Sequence, residues 1–468
     1  MLTKTDFIEY LDCPTHLWAR KNNQIEVELS LFDQHLMTQG REIEKLAQIF
    51  LGRLLEGKGD LEFERTFLDG DFQARVDALV HDPGQDLYDI YEIKSSTSVK
   101  KEHLYDVTFQ RLVCEKTLPI RDVYLVYVNG DYILEKELDL EAFLLVENLN
   151  EEIEKRREEV ALERENALDV IDQKSPLGIR SCHRPGSCPC PALCHGELPD
   201  YPIYNLPRLN YNKALELKSS GVLSIKEIPE EYALSEKQEL HKQAVQIGGP
   251  LIDLTAIQFE LDHLTYPIYF LDYETYPPGV PFFPGYKPYQ HIVFQYSLHL
   301  IRKPGAELEH HELLLTGQGD PSEELAGHLL DRIGDEGSVL VWNKPFEMGK
   351  NKDMAERYPA YREGLLAVNE RIYDLMEIFR MGLYVHPDFR GSASLKAVLP
   401  VMIPEFKNAY GNLNISGGDQ AMLVWADIQA GRIPEGEIPK VREDLLAYCK
   451  LDTLAMVRIW ERLGVVCR

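Results

Sequence analysis

One stretch of the chain, PGSCPCPALCHGELPDYPIYNLP at residues 185–207, is too rich in proline, glycine and cysteine to form a long helix or strand. It lies within a chain of 468 residues, which is more than one hydrophobic core usually supports. We therefore predict a domain boundary near residue 200. Upstream of it, residues 1–200 mix strand-like runs such as LYDIYEIK with helical segments, which predicts an α/β domain.

Two further regions follow the boundary. Residues 201–265 are polar and contain candidate helices that end at glycines, which predicts a helical connector. Residues 266–468 begin with the apolar run YPIYFLDYET, continue with HIVFQYSLHLI and end with a segment whose apolar residues have helical spacing. This order predicts a second α/β domain.

Charge and composition narrow the classes of protein. The net charge of −27 argues against a protein that coats nucleic acid non-specifically, although it allows an enzyme with a local basic groove. No apolar run is long enough to span a bilayer, and the N-terminus is too acidic for a signal peptide. We expect a soluble cytoplasmic protein, in which eight cysteines do not form a disulfide framework.

The first candidate site combines RVDALV with YEIKSS. Glu92 and Lys94 are two residues apart on a predicted strand, so their side chains share a face, and Asp77 precedes them on another predicted strand. Two carboxylates can hold magnesium, and a nearby lysine can orient or activate water. An exposed strand that simply alternates charged residues is the competing interpretation of this pattern.

The second candidate site combines FLDYET with YCKLD. Asp272 and Glu274 close a predicted strand on one face, while Tyr448 and Asp452 are four residues apart and share a face of a predicted helix. Strand carboxylates that meet a helix carboxylate suit a two-metal centre, and the tyrosine could orient the attacking water. A solvated strand edge and an ordinary amphipathic helix are the alternative explanations.

The region before the boundary resembles the PD-(D/E)XK nucleases, in particular the RecB-family members that carry an iron-sulfur cluster, such as the AddB nuclease domain and the CRISPR-associated spacer-processing nucleases. The resemblance covers residues 1–200 and implies a restriction-endonuclease-like fold. It implies metal binding by Asp77 and Glu92, a catalytic role for Lys94, and a supporting role for Gln110 in DVTFQRLVCEK. In GREIE, Glu44 stands at the position where those families often have a histidine metal ligand.

The same resemblance implies a four-iron, four-sulfur cluster. One cysteine near the N-terminus joins three near the end of the domain, which here implies Cys13, Cys182, Cys188 and Cys194 as the ligands. Cys190 is then the spare thiol. Tetrahedral zinc, bound by the four cysteines of the loop, is the alternative, but it leaves Cys13 unexplained.

The C-terminal region resembles the DEDD exonucleases of the DnaQ group in their tyrosine variant, which have an RNase H-like fold. The resemblance covers about residues 266–465. It implies Asp272, Glu274, Tyr448 and Asp452 as site residues, and VWNKPFEMGKNKDMA supplies Glu347 in the place of the usual middle aspartate. Asp353 is the substitute ligand if Glu347 does not serve. GSASLKAVLP resembles an SLK element of such proteins, or is a helix start capped by Ser392 or Ser394.

Together the two resemblances imply a nuclease that depends on Mg²⁺ or Mn²⁺ and hydrolyses the phosphodiester bonds of DNA, in repair or in phage defence. The expected partner is nucleic acid, with DNA ahead of RNA, and we expect no membrane association. Two alternatives stay open. One is an exonuclease that trims RNA with a nucleic-acid-binding N-terminal domain, because the metal chemistry does not distinguish the two nucleic acids. The other is a catalytically silent scaffold.

Overall fold

The computed structural model describes residues 1–467 and is a mixed α/β structure, so the predicted class is confirmed. The chain divides into two compact units. Unit 1 consists of Met1–Glu197 and Pro278–Gln290, and unit 2 consists of Leu198–Pro277 and the chain from His291 onward. The segment 201–265, expected to be a connector, is thus grouped with unit 2. No helix in residues 1–467 combines the length and the apolar composition needed to cross a bilayer.

Unit 1 contains eight strands and seven α-helices within its described residues. In chain order they are β1 (Leu2–Thr3), α1 (Lys4–Asp12), α2 (Pro14–Lys21), α3 (Leu31–Leu54), β2 (Asp60–Phe63), β3 (Thr66–Asp69), β4 (Phe72–Arg75), β5 (Ala78–Asp82), β6 (Leu87–Lys94), α4 (Lys101–Cys114), β7 (Ile120–Val128), α5 (Leu140–Phe143), β8 (Leu144–Asn148), α6 (Asn150–Ile171) and α7 (Pro191–His195).

The main sheet of unit 1 has the order β2-β5-β6-β7-β8, in which only the β6–β7 pair is parallel. Side chains alternate across β6. Ile90 packs into the core beneath α1, α4 and α6, whereas Tyr91 and Ile93 pack into the core that includes α3. Glu92 has the parity of Ile90 and therefore faces α4. A second sheet, β1-β4-β3, completes the unit.

Residues Pro278–Gln290 are part of unit 1 although they are distant in sequence from the rest of it. Leu134 N donates to Tyr286 O at 3.1 Å, and Gly285 N donates to Leu134 O at 2.6 Å. Tyr289 Oη donates to the carbonyl oxygen of Ser95, the residue after β6. The segment is therefore joined to unit 1 by backbone and side-chain hydrogen bonds.

Unit 2 contains the remaining elements. In chain order they are α8 (Tyr211–Ser219), α9 (Glu236–Ile247), β9 (Leu251–Ile252), α10 (Leu254–Asp262), β10 (Ile268–Tyr276), β11 (Ile292–Ile301), β12 (Glu309–Leu314), α11 (Ser322–Ile333), β13 (Ser338–Val341), α12 (Lys344–Arg357), α13 (Arg362–Glu370), β14 (Ile372–Asp374), α14 (Glu377–Arg380), β15 (Tyr384–Val385), α15 (Leu395–Met402), α16 (Gly418–Gln429) and α17 (Ile438–Val466).

The main sheet of unit 2 has the order β12-β11-β10-β13-β14. The first three strands are antiparallel, and β10, β13 and β14 are parallel. Along β10, Phe270 packs into the core that contains residues of α17, while Tyr269 and Leu271 pack into the core beneath α11 and α13. Asp272 and Glu274 have the parity of Phe270, so both carboxylates point toward the side of α17.

Candidate active sites and the cysteine cluster

In unit 1, the predicted strand acid Glu92 is buried, with 1% of its surface exposed. Its Oε1 accepts a hydrogen bond from Lys94 Nζ at 2.8 Å, and its Oε2 accepts one from Gln110 Nε2 at 2.8 Å. Glu92 and Lys94 lie on β6, and Gln110 lies on α4, which covers that face of the sheet. The structure thus brings these three predicted residues into direct contact.

Asp77 lies between β4 and β5, not within a strand as the sequence predicts. The chain passes from one sheet to the other at this point, because β4 belongs to the small sheet and β5 to the main sheet. Asp77 Oδ2 accepts a hydrogen bond from Ile93 N at 2.8 Å, which holds the carboxylate beside β6. Burial, followed by the negative charge of Glu92, raises the pKa of Asp77 to about 7.

Two residues of this site are absent from the sequence prediction. Lys4 Nζ lies 2.7 Å from Glu92 Oε1 and 3.7 Å from Asp77 Oδ1. Asp106 accepts hydrogen bonds from Lys94 Nζ at 2.6 Å and from Gln110 Nε2 at 2.8 Å. Asp106 precedes Gln110 by one helical turn, so helical spacing could have found it. Lys4 is 88 residues from Glu92, and no local pattern connects them.

Glu44, on α3, lines the same open cleft as Asp77. The cleft has a volume of about 370 Å³, and its walls are formed by Thr3, Lys4, Thr5, Glu44, Gln73, Arg75 and Asp77. Within residues 1–467, neither Glu44 nor Asp77 nor Glu92 belongs to a set of three or more potential ligand atoms that all lie within 4.8 Å of one another.

The predicted cysteines converge at one place in unit 1. Cys13 caps α2, and its Sγ lies 4.0 Å from Cys194 Sγ and accepts a hydrogen bond from Cys182 N at 3.1 Å. Cys190, predicted to be the spare thiol, is buried with its Sγ 3.6 Å from Cys194 Sγ. Within residues 1–467, none of the eight cysteines forms a disulfide bond. The cluster thus joins the N-terminal helices to residues 182–195.

Two histidines that the sequence analysis does not include also belong to this cluster. His16 Nε2 lies 3.2 Å from Cys188 Sγ, and His195 Nε2 lies 3.4 Å from Cys182 Sγ. Their ring nitrogens complete the three overlapping groups of potential ligands: Cys13, His16, Cys182 and Cys194; His16, Cys188, Cys190 and Cys194; and Cys182, Cys188 and His195. His16 lies three residues after Cys13, and His195 follows Cys194 directly. This closeness in sequence is the pattern from which both histidines could have been predicted as ligands.

In unit 2, the predicted strand and helix acids are also brought together. Asp272 and Glu274 lie on β10, and Asp452 lies on α17 one turn after Tyr448. Glu274 and Asp452 are 7% and 8% exposed, so both carboxylates are buried. The sulfur of Cys449 lies 3.5 Å from Asp272 Oδ2 and forms a group of potential ligands with Asp272 and Glu274.

The carboxylates of this site repel one another. Burial, and then the charges of Asp452 and Glu274, raise the pKa of Asp272 well above its ordinary value. Burial and the charge of Asp452 do the same for Glu274. Burial also raises the pKa of Asp452, but only to about 6, because hydrogen bonds from Tyr410 and Tyr448 stabilise its ionised form. A bound cation would therefore be favoured at this site, because it would offset the repulsion between the carboxylates.

Glu347 is the residue that the sequence predicts as the middle acid of this site. It lies in the first turn of α12, is 3% exposed, and its Oε2 is buried without a hydrogen-bond partner. Burial raises its pKa to about 8. Its charge in turn contributes to the raised pKa of both Asp272 and Glu274. The substitute residue Asp353 instead pairs with Lys350, with 3.7 Å between Nζ and Oδ2.

Two more side chains complete the surroundings of Asp452. Tyr410 donates a hydrogen bond to Asp452 Oδ1. Lys396, from the SLK element, donates to Ser416 O at 2.7 Å, and its Nζ lies 5.2 Å from the ring centre of Tyr410 and 5.6 Å from that of Tyr448. Ser394 is the N-cap residue of α15, without a capping hydrogen bond from its side chain. Tyr410 lies far from any predicted motif, and no spacing in the sequence indicates it.

Comparisons with known proteins match parts of the chain. A family model described as a domain of unknown function, DUF2779, matches residues 269–394. The chain is 30% identical over 147 residues to "Uncharacterized protein UU173" of Ureaplasma parvum, a match that covers 28% of this chain and 21% of the relative. It is 30% identical over 131 residues to "Uncharacterized protein MG366" of Mycoplasma genitalium, covering 26% and 20%.

The chain spans about a fifth of the length of these curated relatives. Among solved structures, the chain is similar to one titled "Crystal structure of SSO0001", with 15% identity and a TM-score of 0.25. That match covers 42% of this chain and 87% of the solved chain. The family model matches the chain from the acidic strand β10 to the N-cap residue of α15, a range that also includes the unit 1 segment Pro278–Gln290.

Proposed function

We propose that the protein is a nuclease that depends on Mg²⁺ or Mn²⁺ and hydrolyses the phosphodiester bonds of DNA, with one active site in each unit. The observation that carries this proposal is the convergence of Asp272, Glu274 and Asp452 in unit 2, with Glu347 nearby. Burying several carboxylates together is unfavourable unless they bind protons or a cation. The site contains four buried or half-buried carboxylates, and Oε2 of Glu347 has no hydrogen-bond partner. Such an arrangement is suited to a metal centre.

The donor set favours a hard divalent cation. Carboxylate oxygens are the ligands that Mg²⁺ and Mn²⁺ prefer, and Asp272, Glu274, Glu347 and Asp452 would hold the ion or ions in unit 2. When bound, such a cation polarises the phosphodiester and lowers the pKa of a bound water. The Cys449 thiol beside Asp272 is buried, and burial raises its pKa well above the ordinary value, which keeps it a neutral hydrogen-bond donor.

The protein's own side chains would orient the reaction in unit 2. Tyr448 stands one helical turn before Asp452, where its hydroxyl can orient a water molecule next to the carboxylates. Burial raises the pKa of Tyr448 far above neutrality, so this hydroxyl holds its proton. Lys396 supplies a positive charge over the Tyr410 and Tyr448 rings, and this charge would attract an anionic substrate.

In unit 1, we propose that Asp77 and Glu92 hold the metal and that Lys94 stabilises negative charge on the phosphate. Burial lowers the pKa of Lys94, but the charges of Glu92 and Asp106 outweigh this effect and hold it above its ordinary value. Lys94 thus stays protonated and acts as a cation rather than as a general base. Gln110 orients both Glu92 and Asp106 through its amide group.

We also propose the fold families that the sequence motifs imply. The RNase H-like assignment of unit 2 is supported by its five-stranded mixed sheet, in which the acidic strand β10 is central and α17 brings Asp452 to it. The restriction-endonuclease-like assignment of unit 1 is supported by Glu92 and Lys94 at the end of a central strand, covered by the helix that bears Gln110.

For the cysteine cluster we propose a four-iron, four-sulfur centre with a structural role. The donor set fits, because such a centre needs four thiolates and five converge here. Cys13, Cys182, Cys188 and Cys194 would hold it. Its role would be to tie α2 to a loop 169 residues later in the chain. The same donors also fit tetrahedral zinc, whose thiolate and imidazole ligands match the groups that include His16.

The proposed function is tested with the full-length protein, purified without oxygen, and DNA labelled at either end. We expect magnesium- or manganese-dependent cleavage, and we expect Asp77→Asn and Asp272→Asn to remove different products. Asp353→Asn serves as the matched control, because its carboxylate pairs with Lys350. Cleavage of RNA alone would exclude the DNA assignment, and the absence of cleavage on both substrates would contradict the nuclease proposal.

A further inference from the structure

Lys4 is positioned by the start of helix α1. The preceding residue, Thr3, caps the helix: its side chain accepts a hydrogen bond from Asp6 N, and the Asp6 side chain accepts one from Thr3 N. This reciprocal capping fixes the first turn, in which Lys4 is the first residue. The Lys4 side chain is 21% exposed and reaches down to the carboxylates of the unit 1 site.

The Lys4 ammonium occupies the space between those carboxylates. Its Nζ lies 2.7 Å from Glu92 Oε1 and 3.7 Å from Asp77 Oδ1. Lys94 Nζ contacts the same Oε1 at 2.8 Å. A carboxylate oxygen has about two acceptor sites, so both sites of Oε1 are engaged. Glu92 can therefore bind a cation through Oε1 only if one ammonium group leaves.

Lys4 is the ammonium group that a cation would displace, because its two partners, Glu92 and Asp77, are the carboxylates that would bind the cation. Lys94 is held from two sides, by Glu92 and by Asp106 at 2.6 Å. Lys4 has no contact with Asp106 within hydrogen-bonding distance, and its side chain forms part of the wall of the open cleft that Asp77 also lines. A long, flexible lysine side chain can turn into that cleft without a change in the helix that carries it.

We propose that Lys4 is a built-in counterion that competes with the divalent cation for Asp77 and Glu92, and that cation binding displaces its ammonium group into the cleft. This inference rests on the metal site proposed for unit 1. With Asp77, Glu92 and Asp106 ionised, the three carboxylates and the two lysines have a net charge of −1. A divalent cation changes this net charge to +1, and the displaced ammonium group then favours the binding of a phosphate in the cleft.

The inference is tested by manganese binding, followed through the electron paramagnetic resonance signal of free Mn²⁺. Every sample is full-length protein that carries Asp272→Asn, which weakens the site of unit 2. We expect Lys4→Met to bind Mn²⁺ about tenfold more tightly than the protein with Lys4, a coupling of ordinary size between two ligands of one site. Lys4→Gln, which retains a hydrogen-bond donor but removes the charge, should also bind Mn²⁺ more tightly than the protein with Lys4.

Lys21→Met is the matched control. Lys21 lies at the end of α2, its side chain is 23% exposed, and its Nζ pairs with Asp6 Oδ2 at 2.6 Å. The control therefore removes the same charge at a similar exposure without touching Asp77 or Glu92, and it leaves the two hydrogen bonds between Thr3 and Asp6 in place. We expect its affinity for Mn²⁺ to change less than about twofold. Thermal unfolding of each variant shows that it is folded.

The outcomes separate this inference from the proposed function. An unchanged or weaker affinity in both Lys4 variants would overturn the competition, while manganese binding that Asp77→Asn removes would still support the metal site. If no variant binds manganese at a site that depends on Asp77, the inference fails together with the metal site of unit 1. Tighter binding in Lys4→Met and Lys21→Met alike would show a general charge effect and would also overturn the competition.

Discussion

Tyr410 donates a hydrogen bond to Asp452, although the two residues are 42 positions apart and lie on different elements. Tyr448 also donates to this carboxylate, and the two hydrogen bonds lower a pKa that burial would otherwise raise further. Burial therefore raises the pKa of Asp452 only to about 6, whereas burial and neighbouring charges raise the pKa of Asp272 and of Glu274 well above the ordinary values. The two tyrosine hydroxyls thus set Asp452 apart from the two carboxylates of β10.

Removal of one of these donors should shift the pH dependence of the unit 2 activity. In protein that carries Asp77→Asn, we expect Tyr410→Phe to move the acidic limb of the pH–rate profile upward by roughly half a pH unit to one pH unit, because a hydrogen bond contributes about 1 kcal/mol and one pKa unit corresponds to about 1.4 kcal/mol. Tyr296→Phe, which removes a hydrogen bond to His328, is the control. A limb that stays in place would show that Tyr410 does not tune Asp452.

Glu347 should destabilise the metal-free protein at alkaline pH. Its pKa is about 8 in the folded protein against about 4.5 ordinarily, so the folded state binds more protons between these values and stability falls as the pH rises through this window. We expect Glu347→Gln to raise the melting temperature at pH 8 by several degrees, since about 1 kcal/mol corresponds to about 2–4 °C for domains of this size. Asp353→Asn should have a smaller effect, and an unchanged melting temperature in Glu347→Gln would contradict the assignment.

The unit 1 activity should persist at high pH. Glu92 and Asp106 hold the pKa of Lys94 above its ordinary value, so the ammonium group keeps its charge throughout the stable range. In protein that carries Asp272→Asn, we expect the cleavage rate not to fall between pH 8 and roughly pH 10, the ordinary pKa of lysine. Lys94→Gln should lose activity by about two orders of magnitude or more, as for the loss of a group that stabilises transition-state charge. A rate that falls in this range with an intact fold would indicate that Lys94 acts as a base.

The cysteine cluster should contain iron and sulfide. Protein purified without oxygen should be coloured, and Cys13→Ser should bleach it, because Cys13 contributes the thiol from the N-terminal helices. Cys114→Ser is the control: Cys114 is buried in the core of unit 1 and lies outside the ligand groups. Metal analysis that finds zinc in a colourless protein would replace the iron-sulfur proposal with a zinc site. Comparison of Cys188→Ser with Cys190→Ser would identify which thiol is spare.

Local periodicity predicted much of this structure. The run LYDIYEIK corresponds to β6 over its whole length, and the spacing of two between Glu92 and Lys94, or between Asp272 and Glu274, placed each pair on one face. The mixed α/β class follows from the same patterns. These features are local, because they depend on neighbours within one strand or helix.

The features that the sequence did not reveal are those in which distant segments meet. Lys4 and Tyr410 reach their sites through the packing of separate elements, and no spacing in the chain connects them to their partners. His16 and His195 stand near predicted cysteines in the sequence, but packing decides that they contact Cys188 and Cys182. Asp77 also departs from the prediction, because the chain changes sheets between β4 and β5 and leaves this residue outside either strand. The burial of Glu347 Oε2 without a hydrogen-bond partner likewise depends on the packing of distant elements, so the sequence does not show it.

The membership of Pro278–Gln290 in unit 1 has a practical consequence for dissection of the protein. These residues follow β10 directly, so the polypeptide leaves unit 2, contributes to unit 1, and returns to form β11. A single proteolytic cut cannot release either unit intact, and a fragment that ends at residue 197 would lack the partners of Leu134 and Ser95. The two units are therefore expected to be expressed and degraded together.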